Sequence, residues 1–253
     1  MLLSVVEAPS TSWDARELVP AVMGSRCETC KSRSINRCDA LFGAGGNRTP
    51  IGAKTGSTPA RQNIYRAGEA KEGVLVICDG WAVRFIQLPD GKRQILSVVL
   101  PGEVVCPTSF LERQFTFSVQ AVTNVRYCYF PFAEVRARIQ SDPALFDIWF
   151  RLMAAEHGNG DKRLVDLGQR TAQERIAALI VHMMVRCEQR GEFHGDTFAF
   201  PMSQQQIADF TGLTPVHACR ILSSLRRKSV CNIGRGIAKI IDRGELERMG
   251  SLK

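Results

Sequence analysis

Three cysteines lie close together near the N-terminus, in the order Cys27-x2-Cys30-x7-Cys38. Thiolates bind soft metals and iron–sulfur clusters, and a Cys-x2-Cys pair can fill two positions of one metal centre. This spacing alone also suits a structural zinc site or thiol redox chemistry. The chain has nine cysteines, and its N-terminus lacks a signal peptide's basic and apolar regions. We therefore expect a cytoplasmic protein with reduced thiols rather than a disulfide framework.

A second informative pattern begins at Ser203 and reads as two short helices joined by a tight turn. Ser203 and Gln206 have the spacing of a capping box, and Gly212 falls where the turn needs positive φ. Thr214 followed by Pro215 is typical of the N-terminus of a second helix. The pattern predicts a helix-turn-helix, whose second helix enters the DNA major groove. The alternative is an ordinary helical hairpin.

The charge of the chain agrees with a nucleic-acid partner. The 253 residues carry a formal net charge of +8, and the segment 203–253 holds nine Lys or Arg and four Asp or Glu. A basic surface beside a helix-turn-helix favours a polyanionic partner. Without that motif, the same charge would indicate only a solvated basic face. We expect no membrane span, because no apolar run is long enough. We expect no enzyme, because the chain lacks a nucleophile–base set, a Walker loop and a Rossmann fingerprint.

The remaining pattern divides the chain into four parts. Residues 1–60 form a cysteine-containing arm and a Gly- and Pro-rich linker, and residues 61–140 hold short β-prone runs separated by turns. Such regular spacing predicts an antiparallel barrel or roll. Residues 141–170 form a long helix, which we expect Gly158 and Gly160 to interrupt. Residues 171–253 open with a Thr171–Glu174 capping box and end in a β-hairpin around Arg235, the wing.

These elements, in this order, resemble the Crp/Fnr family of bacterial transcription regulators over about residues 61–250. The most specific segments are Tyr65–Glu69, Leu100–Glu103 and Leu213–Arg220. The resemblance implies an α+β fold with an N-terminal cyclic-nucleotide-binding-like β-roll, a long dimerisation helix and a C-terminal winged helix-turn-helix. It also implies a homodimer that binds a palindromic site in double-stranded promoter DNA, with RNA polymerase as a further partner.

The family's cyclic-nucleotide binders carry a glutamate and an arginine that hold the cyclic phosphate. The corresponding segments here, Val105–Ser109 and Phe115–Ser118, contain neither residue. We therefore expect a signal other than a cyclic nucleotide.

The cysteines resemble those of the oxygen-sensing FNR branch, in which three N-terminal cysteines and one in the roll hold a [4Fe-4S] cluster. The segment Gln120–Phe132 matches that branch around its fourth ligand, which maps to Cys128. The resemblance implies that oxygen controls dimerisation and promoter binding through the cluster. The implied ligands are Cys27, Cys30, Cys38 and Cys128.

Four thiolates also suit structural zinc, and thiol sensing without a metal stays open. The alternative function is a Crp/Fnr-type regulator without a cluster that responds to nitrogen oxides or thiol oxidation. Two further rivals are an electron carrier fused to a DNA-binding domain and a module that uses the helix-turn-helix for protein contacts. Cys78, Cys106 and Cys187 are expected to be buried small hydrophobes, and Cys231 a wing residue.

The resemblance places Arg220 where relatives contact guanine, and a bidentate arginine contact to O6 and N7 is specific. The chain departs from FNR-like helices at Val216, where they carry glutamate, and at Cys219, where they carry serine. Lys228 and Arg235 are expected to meet phosphates, as are the two arginines at the end of the helix. The expected DNA-contacting residues on and around the second helix are Thr214, Pro215, Val216, His217, Cys219, Arg220, Arg226 and Arg227.

Overall fold

The structure is a computed structural model that describes residue 41 and residues 54–70, 73–108 and 114–251. The three arm cysteines, Cys27, Cys30 and Cys38, lie outside the described residues, as does residue 109 of the segment compared with the cyclic-nucleotide binders. Within the described ranges no helix combines the length and apolarity needed to cross a membrane.

The predicted roll consists of two antiparallel sheets. One sheet has the strand order β1-β7-β3, and the other has the order β2-β6-β4-β5. The strands are β1 (Lys54–Thr58), β2 (Asn63–Tyr65), β3 (Gly73–Asp79), β4 (Ala82–Gln87), β5 (Arg93–Val99), β6 (Ser118–Ala121) and β7 (Val125–Pro131). Alternate side chains of each strand face opposite sides of the sheet. On β3, Leu75 and Ile77 face the roll interior, while Val74 and Val76 face the helices outside it.

The roll begins earlier than the sequence analysis expected. Lys54–Thr58, assigned above to the linker, form β1 and pair with β7 in a register that places Thr55 opposite Cys128. The segment is rich in Gly, Ser and Thr, so its composition resembles that of a linker. Pairing along the free edge of β7 determines its strand conformation, which corrects the expected start of the roll at residue 61.

Two helices follow the roll: α1 (Phe132–Ser141) and α2 (Pro143–Gln169). The expected interruption of α2 at Gly158 and Gly160 is wrong, because the helix runs unbroken for 27 residues. Each glycine costs about 1 kcal/mol relative to alanine. Packing at both ends of α2 offsets that cost: Trp149 is buried near its start, and Arg163 lies over the Phe210 ring near its end, 3.6 Å from the centroid.

The C-terminal part is the predicted winged helix-turn-helix. Its helices are α3 (Ala172–Glu188), α4 (Gln204–Thr211), α5 (Pro215–Arg227) and α6 (Arg243–Gly250). The wing hairpin is β10 (Cys231–Gly234) and β11 (Ile237–Ile240), as predicted. The helix α6 and two short strands were not predicted from the sequence. The strands β8 (Phe193–His194) and β9 (Thr197–Ala199) complete a sheet of order β10-β11-β9-β8.

The two parts share one apolar core. Val83 and Phe85 of β4, together with Ile95 of β5, face out of the roll and pack in the same buried cluster as Ile180 and Met183 of α3. The helix-turn-helix therefore rests directly on the outer face of the four-stranded sheet, which couples the position of the DNA-binding part to that of the roll.

Candidate DNA-binding surface and cysteine layer

Local sequence builds the helix-turn-helix as predicted. The Ser203 hydroxyl accepts from the Gln206 backbone N–H, and the Gln206 side chain accepts from the Ser203 N–H, which completes the capping box. Gly212 ends α4 with φ 66° and ψ 35°, a left-handed conformation that glycine adopts without a Cβ clash. Thr214 then caps α5 by accepting from the His217 N–H at 3.3 Å, with Pro215 in the first turn.

One face of α5 packs inward and the other is exposed. Ala218 and Leu225 are fully buried against the core, and Ala218 lies in the same cluster as Ala208 of α4. Cys219 is half-buried and lines a groove of about 390 Å³ between α5 and the wing. The candidate DNA-contacting residues on the exposed face are Thr214, Pro215, Val216, His217, Arg220, Arg226, Arg227 and Lys228.

The wing extends this face. Arg235 and Gly236 form its turn, both with positive φ, and Arg235 lines the same groove as Arg226. The structure thus brings the basic end of α5 and the tip of the wing to one side of the molecule. Such an arrangement offers cations that can neutralise the phosphates of a DNA backbone.

Cys128 lies in a buried layer outside the roll interior. Its neighbours on β7, Val125 and Tyr127, face into the roll, whereas Cys128 and Phe130 face the helices. Cys128 is 8% exposed and belongs to one cluster with Trp149 of α2. The only described contact between two cysteine sulfurs is here: the Cys78 Sγ lies 3.0 Å from the Cys128 Sγ. We call Leu41, Cys78, Cys128, Phe130 and Trp149 the cysteine layer.

Leu41 brings the N-terminal segment into this layer. It is 3% exposed and packs in the cluster that holds Cys128 and Trp149. Its carbonyl oxygen accepts a 3.4 Å hydrogen bond from Arg138 of α1. Leu41 follows Cys38 by three residues, and three residues of chain span at most about 10 Å. Within the described ranges, no three His, Cys, Asp or Glu side chains converge as a metal site would.

The cysteines outside the implied ligand set divide into two kinds. Cys106 and Cys187 are buried, as expected, and Cys231 is the first residue of the wing strand β10, where it is also buried. Burial raises the pKa of the thiols of Cys187 and Cys231 to about 11. Cys78 corrects the expectation of a buried small hydrophobe, because it is half-buried and contacts Cys128. The hydrogen bond from Cys78 lowers the pKa of the Cys128 thiol, outweighing the opposite effect of burial.

A carboxylate joins the roll to the DNA-binding part. Glu103, after β5, forms ion pairs with Arg186 and Arg190 around the end of α3, and also accepts from the Leu100 N–H at 2.9 Å. Burial raises the pKa of Glu103, but the two guanidinium groups outweigh burial and hold that pKa below its ordinary value. A second link is Arg93 of β5, which pairs with Asp209 of α4 at 2.6 Å.

Glu103→Gln is expected to lower the free energy of unfolding by roughly 2–4 kcal/mol, because it leaves two largely buried guanidinium groups without their shared counter-charge. The contribution of Glu103 to the free energy of unfolding is complete above the ordinary glutamate pKa of about 4.3. It is lost as the pH falls through the lowered pKa of Glu103 in the folded state. Denaturant unfolding at pH 7 and pH 3 measures both effects, and the difference between wild type and variant should shrink at pH 3.

The matched control is Arg248→Gln, which breaks the exposed pair between Arg248 and Glu245 on α6. It should cost less than about 1 kcal/mol, as exposed ion pairs do. Equal losses for both variants, or a difference for Glu103→Gln that does not change with pH, would contradict the assigned role of Glu103.

The helix α2 has two faces of different character. Leu145 and Trp149 are buried, whereas Phe146 and Phe150 are 56% and 62% exposed and stack with ring centroids 6.3 Å apart. Leu164, at 72% exposed, lies five helical turns after Phe146 and therefore on the same face. Large apolar side chains exposed in one line along a long helix are typical of a helix–helix interface.

Comparison with known proteins gives a consistent result. The cyclic nucleotide-binding domain model matches residues 56–142, and the Crp-like helix-turn-helix domain model matches residues 174–249. The nitrogen fixation regulation protein FixK of Azorhizobium caulinodans is 30% identical over 200 residues, covering 77% of this chain and 79% of the relative. The anaerobic regulatory protein of Haemophilus influenzae is 26% identical over 193 residues, covering 76% of this chain and 75% of the relative.

Among solved structures, FixK2 from Bradyrhizobium japonicum superposes with a TM-score of 0.71. At 22% sequence identity the match covers 80% of this chain and all of the FixK2 chain. This likeness shows that the roll, the long helix and the winged helix-turn-helix occur together in the same order in another protein.

A β-roll joined by a long helix to a winged helix-turn-helix defines a class of two-domain DNA-binding regulators. The chain belongs to the Crp/Fnr family of transcription regulators. Members of this family bind DNA and act as dimers.

Proposed function

We propose that this regulator senses oxygen through a [4Fe-4S] cluster held by Cys27, Cys30, Cys38 and Cys128, and that the cluster controls dimerisation and promoter binding. The observation that carries the proposal is the shared burial of Cys128, Leu41 and Trp149 in one layer between the roll and the dimer helix. A relative described as an anaerobic regulatory protein supports the same signal.

The donor set fits such a group. Four thiolates are the usual ligands of a [4Fe-4S] cluster, and Cys128 offers its thiol on the side of the sheet where Leu41 packs. When bound, the cluster supplies an oxygen-labile link between the arm cysteines and the roll. Because three of the four ligands precede Leu41, their attachment to Cys128 would order the segment that leads into the cysteine layer.

Packing within the cysteine layer links the proposed cluster to the proposed dimer surface on α2. Leu41 and Cys128 pack beside Trp149, which lies on the inner face of α2. Phe146 and Phe150 lie on the adjacent, exposed face of the same helical turns and form our proposed dimer surface with Leu164. An ordered arm therefore holds the inner face of α2 against the roll and aligns the outer face for pairing. Loss of that order shifts the population toward the weakly associating form.

On the DNA side, we assign Arg220 to a guanine edge and Val216 to a base-facing apolar contact, such as a thymine methyl. Both side chains lie on the exposed face of α5. Arg226, Arg227, Lys228 and Arg235 occupy the end of the helix and the wing, where we assign them to phosphates.

Oxygen dependence tests this function. A DNA fragment is selected from random duplexes by the anaerobic protein, and the binding of that fragment and the sedimentation of the protein are measured before and after exposure to air. We expect a dimer that binds the fragment without oxygen, and a lighter species with weaker binding after exposure. Binding and mass that are the same in both states would contradict the proposal.

Leu164→Glu is expected to weaken dimerisation by at least about tenfold, or about 1.4 kcal/mol, because a carboxylate would have to lose its water in an apolar interface. The control is Lys162→Glu, which places the same charge at an exposed position of α2 roughly on the opposite side of the helix. Sedimentation equilibrium under anaerobic conditions measures the dimer dissociation constant of both variants. A Leu164→Glu dimer as tight as the control would place the interface elsewhere.

A further inference from the structure

We propose that Cys78 and Cys128 form a dithiol that peroxide closes to a disulfide when Cys128 is not bound to the cluster. The inference deepens the proposed function, since it makes Cys128 a residue for which a cluster and a disulfide compete. It rests on the 3.0 Å contact between the two Sγ atoms and on the strand register that creates this contact.

The register brings the two sulfurs to one face. Cys128 is opposite Val76 on β3, and Cys78, two residues further along, has its side chain on the same side of the sheet. The ladder is irregular at this point: Ile77 pairs with Tyr127, and the next pair is Asp79 with Arg126. Cys78 is the extra residue at this irregularity, where its Sγ lies 3.0 Å from the Cys128 Sγ.

The surroundings favour closure of the bond. A disulfide requires a sulfur separation of about 2.0 Å, so the two atoms need to approach by about 1 Å. Cys78 lies at the end of β3, half-buried and next to the exposed Asp79, so a small oxidant can reach it. Cys128 is buried behind it. The other buried cysteine of the roll, Cys106, has its Sγ 3.2 Å from the Thr108 hydroxyl.

The chemistry balances with hydrogen peroxide as the oxidant. The Cys78 thiol gives up its proton and its sulfur attacks one peroxide oxygen. The O–O bond breaks, the released hydroxide takes the Cys78 proton to leave as water, and Cys78 becomes a sulfenic acid. The Cys128 sulfur then attacks the Cys78 sulfur, and the hydroxyl group leaves with the Cys128 proton as a second water. Two thiols are oxidised to one disulfide, and one peroxide is reduced to two waters.

The disulfide would remove Cys128 from the ligand set and join β3 to β7 beneath α2. A chain that has lost its cluster under oxidative conditions would therefore stay without one until a thiol reductant reopens the bond. The cluster, in turn, would protect Cys128 from this oxidation.

The test uses the full chain with Cys27→Ser, Cys30→Ser and Cys38→Ser, which removes the arm thiols and leaves the roll intact. This variant is treated with hydrogen peroxide, remaining thiols are alkylated, and tryptic peptides are mapped by mass spectrometry. We expect a crosslinked peptide pair containing Cys78 and Cys128, which disappears with dithiothreitol. Adding Cys78→Ser should abolish the crosslink, and adding Cys106→Ser should leave its yield unchanged.

Recovery of Cys78 and Cys128 as alkylated thiols after oxidation would overturn the proposal, as would a crosslink from Cys128 to Cys106 instead. The unsubstituted chain, loaded with iron anaerobically, should form less of the crosslink than the triple variant; equal yields would overturn the competition between disulfide and cluster. Failure of the cluster proposal would show as absent iron with the crosslink still formed. Failure of the present inference would show as bound iron in the unsubstituted chain together with no crosslink in the peroxide-treated triple variant.

Discussion

Cys128→Ser is expected to abolish both the iron bound to the anaerobically purified protein and its binding to the selected DNA fragment. Serine keeps the size of the side chain but replaces the thiolate, which is the ligand that a [4Fe-4S] cluster requires. Without this ligand the arm cysteines lose their proposed link to Cys128, and the proposed dimer surface on α2 loses the support of an ordered arm. Iron analysis and a gel-shift titration under anaerobic conditions measure the two effects.

Cys106→Ser is the matched control, because Cys106 is also a buried cysteine of the roll but belongs to a different cluster from Cys128. It should keep the iron and the DNA binding. If Cys128→Ser bound iron and DNA as the control does, Cys128 would not be the fourth ligand. If Cys78→Ser instead lost the iron, Cys78 would be the fourth ligand in place of Cys128.

Arg220→Ala is expected to weaken binding to the selected fragment by about 1–3 kcal/mol, or roughly 5- to 150-fold, and to relax the preference at one base pair of each half-site. Arg220 is exposed on α5 one turn beyond Val216, so its guanidinium group can reach a base edge in the major groove. Titration against the fragment and its single-base variants measures both affinity and specificity.

Arg227→Ala provides the contrast, since Arg227 lies at the exposed end of α5 and is assigned to a phosphate. It should weaken binding to all sequences alike and lower the slope of log affinity against log salt by about 1. A uniform loss for Arg220→Ala, with the base preferences unchanged, would move Arg220 to the phosphate backbone.

Local sequence predicted the elements whose shape depends on a few neighbouring residues. The capping boxes at Thr171 and Ser203, the left-handed Gly212 and the wing turn at Arg235 are all formed as expected. Each depends on hydrogen bonds or backbone freedom within a handful of residues, so the sequence signal and the structural cause coincide.

Features that depend on distant parts of the chain were not predictable in this way. The strand β1 is a strand because β7 offers it an edge, and α2 continues through Gly158 because both of its ends are packed. The contact between Cys78 and Cys128 depends on a bulge in the pairing of β3 with β7, across 50 residues of sequence. The ion pairs of Glu103 with the end of α3 likewise join residues more than 80 positions apart.

The same distinction between local and distant causes applies to the candidate site. The exposed positions of the DNA-contacting residues follow from helix periodicity, which the sequence displays directly. The position of Cys128 in the layer beside Trp149 depends on the tertiary packing of a strand, a helix and Leu41, and only the structure reveals it.

Iron and acid-labile sulfide analysis of the full chain, purified without oxygen from cells that make iron–sulfur clusters, shows whether the protein holds a [4Fe-4S] cluster. We expect about four iron and four sulfide per chain, both lost on exposure to air. A protein that binds its DNA fragment anaerobically but contains neither iron nor sulfide would contradict it, and the regulator would then have to sense its signal without a cluster.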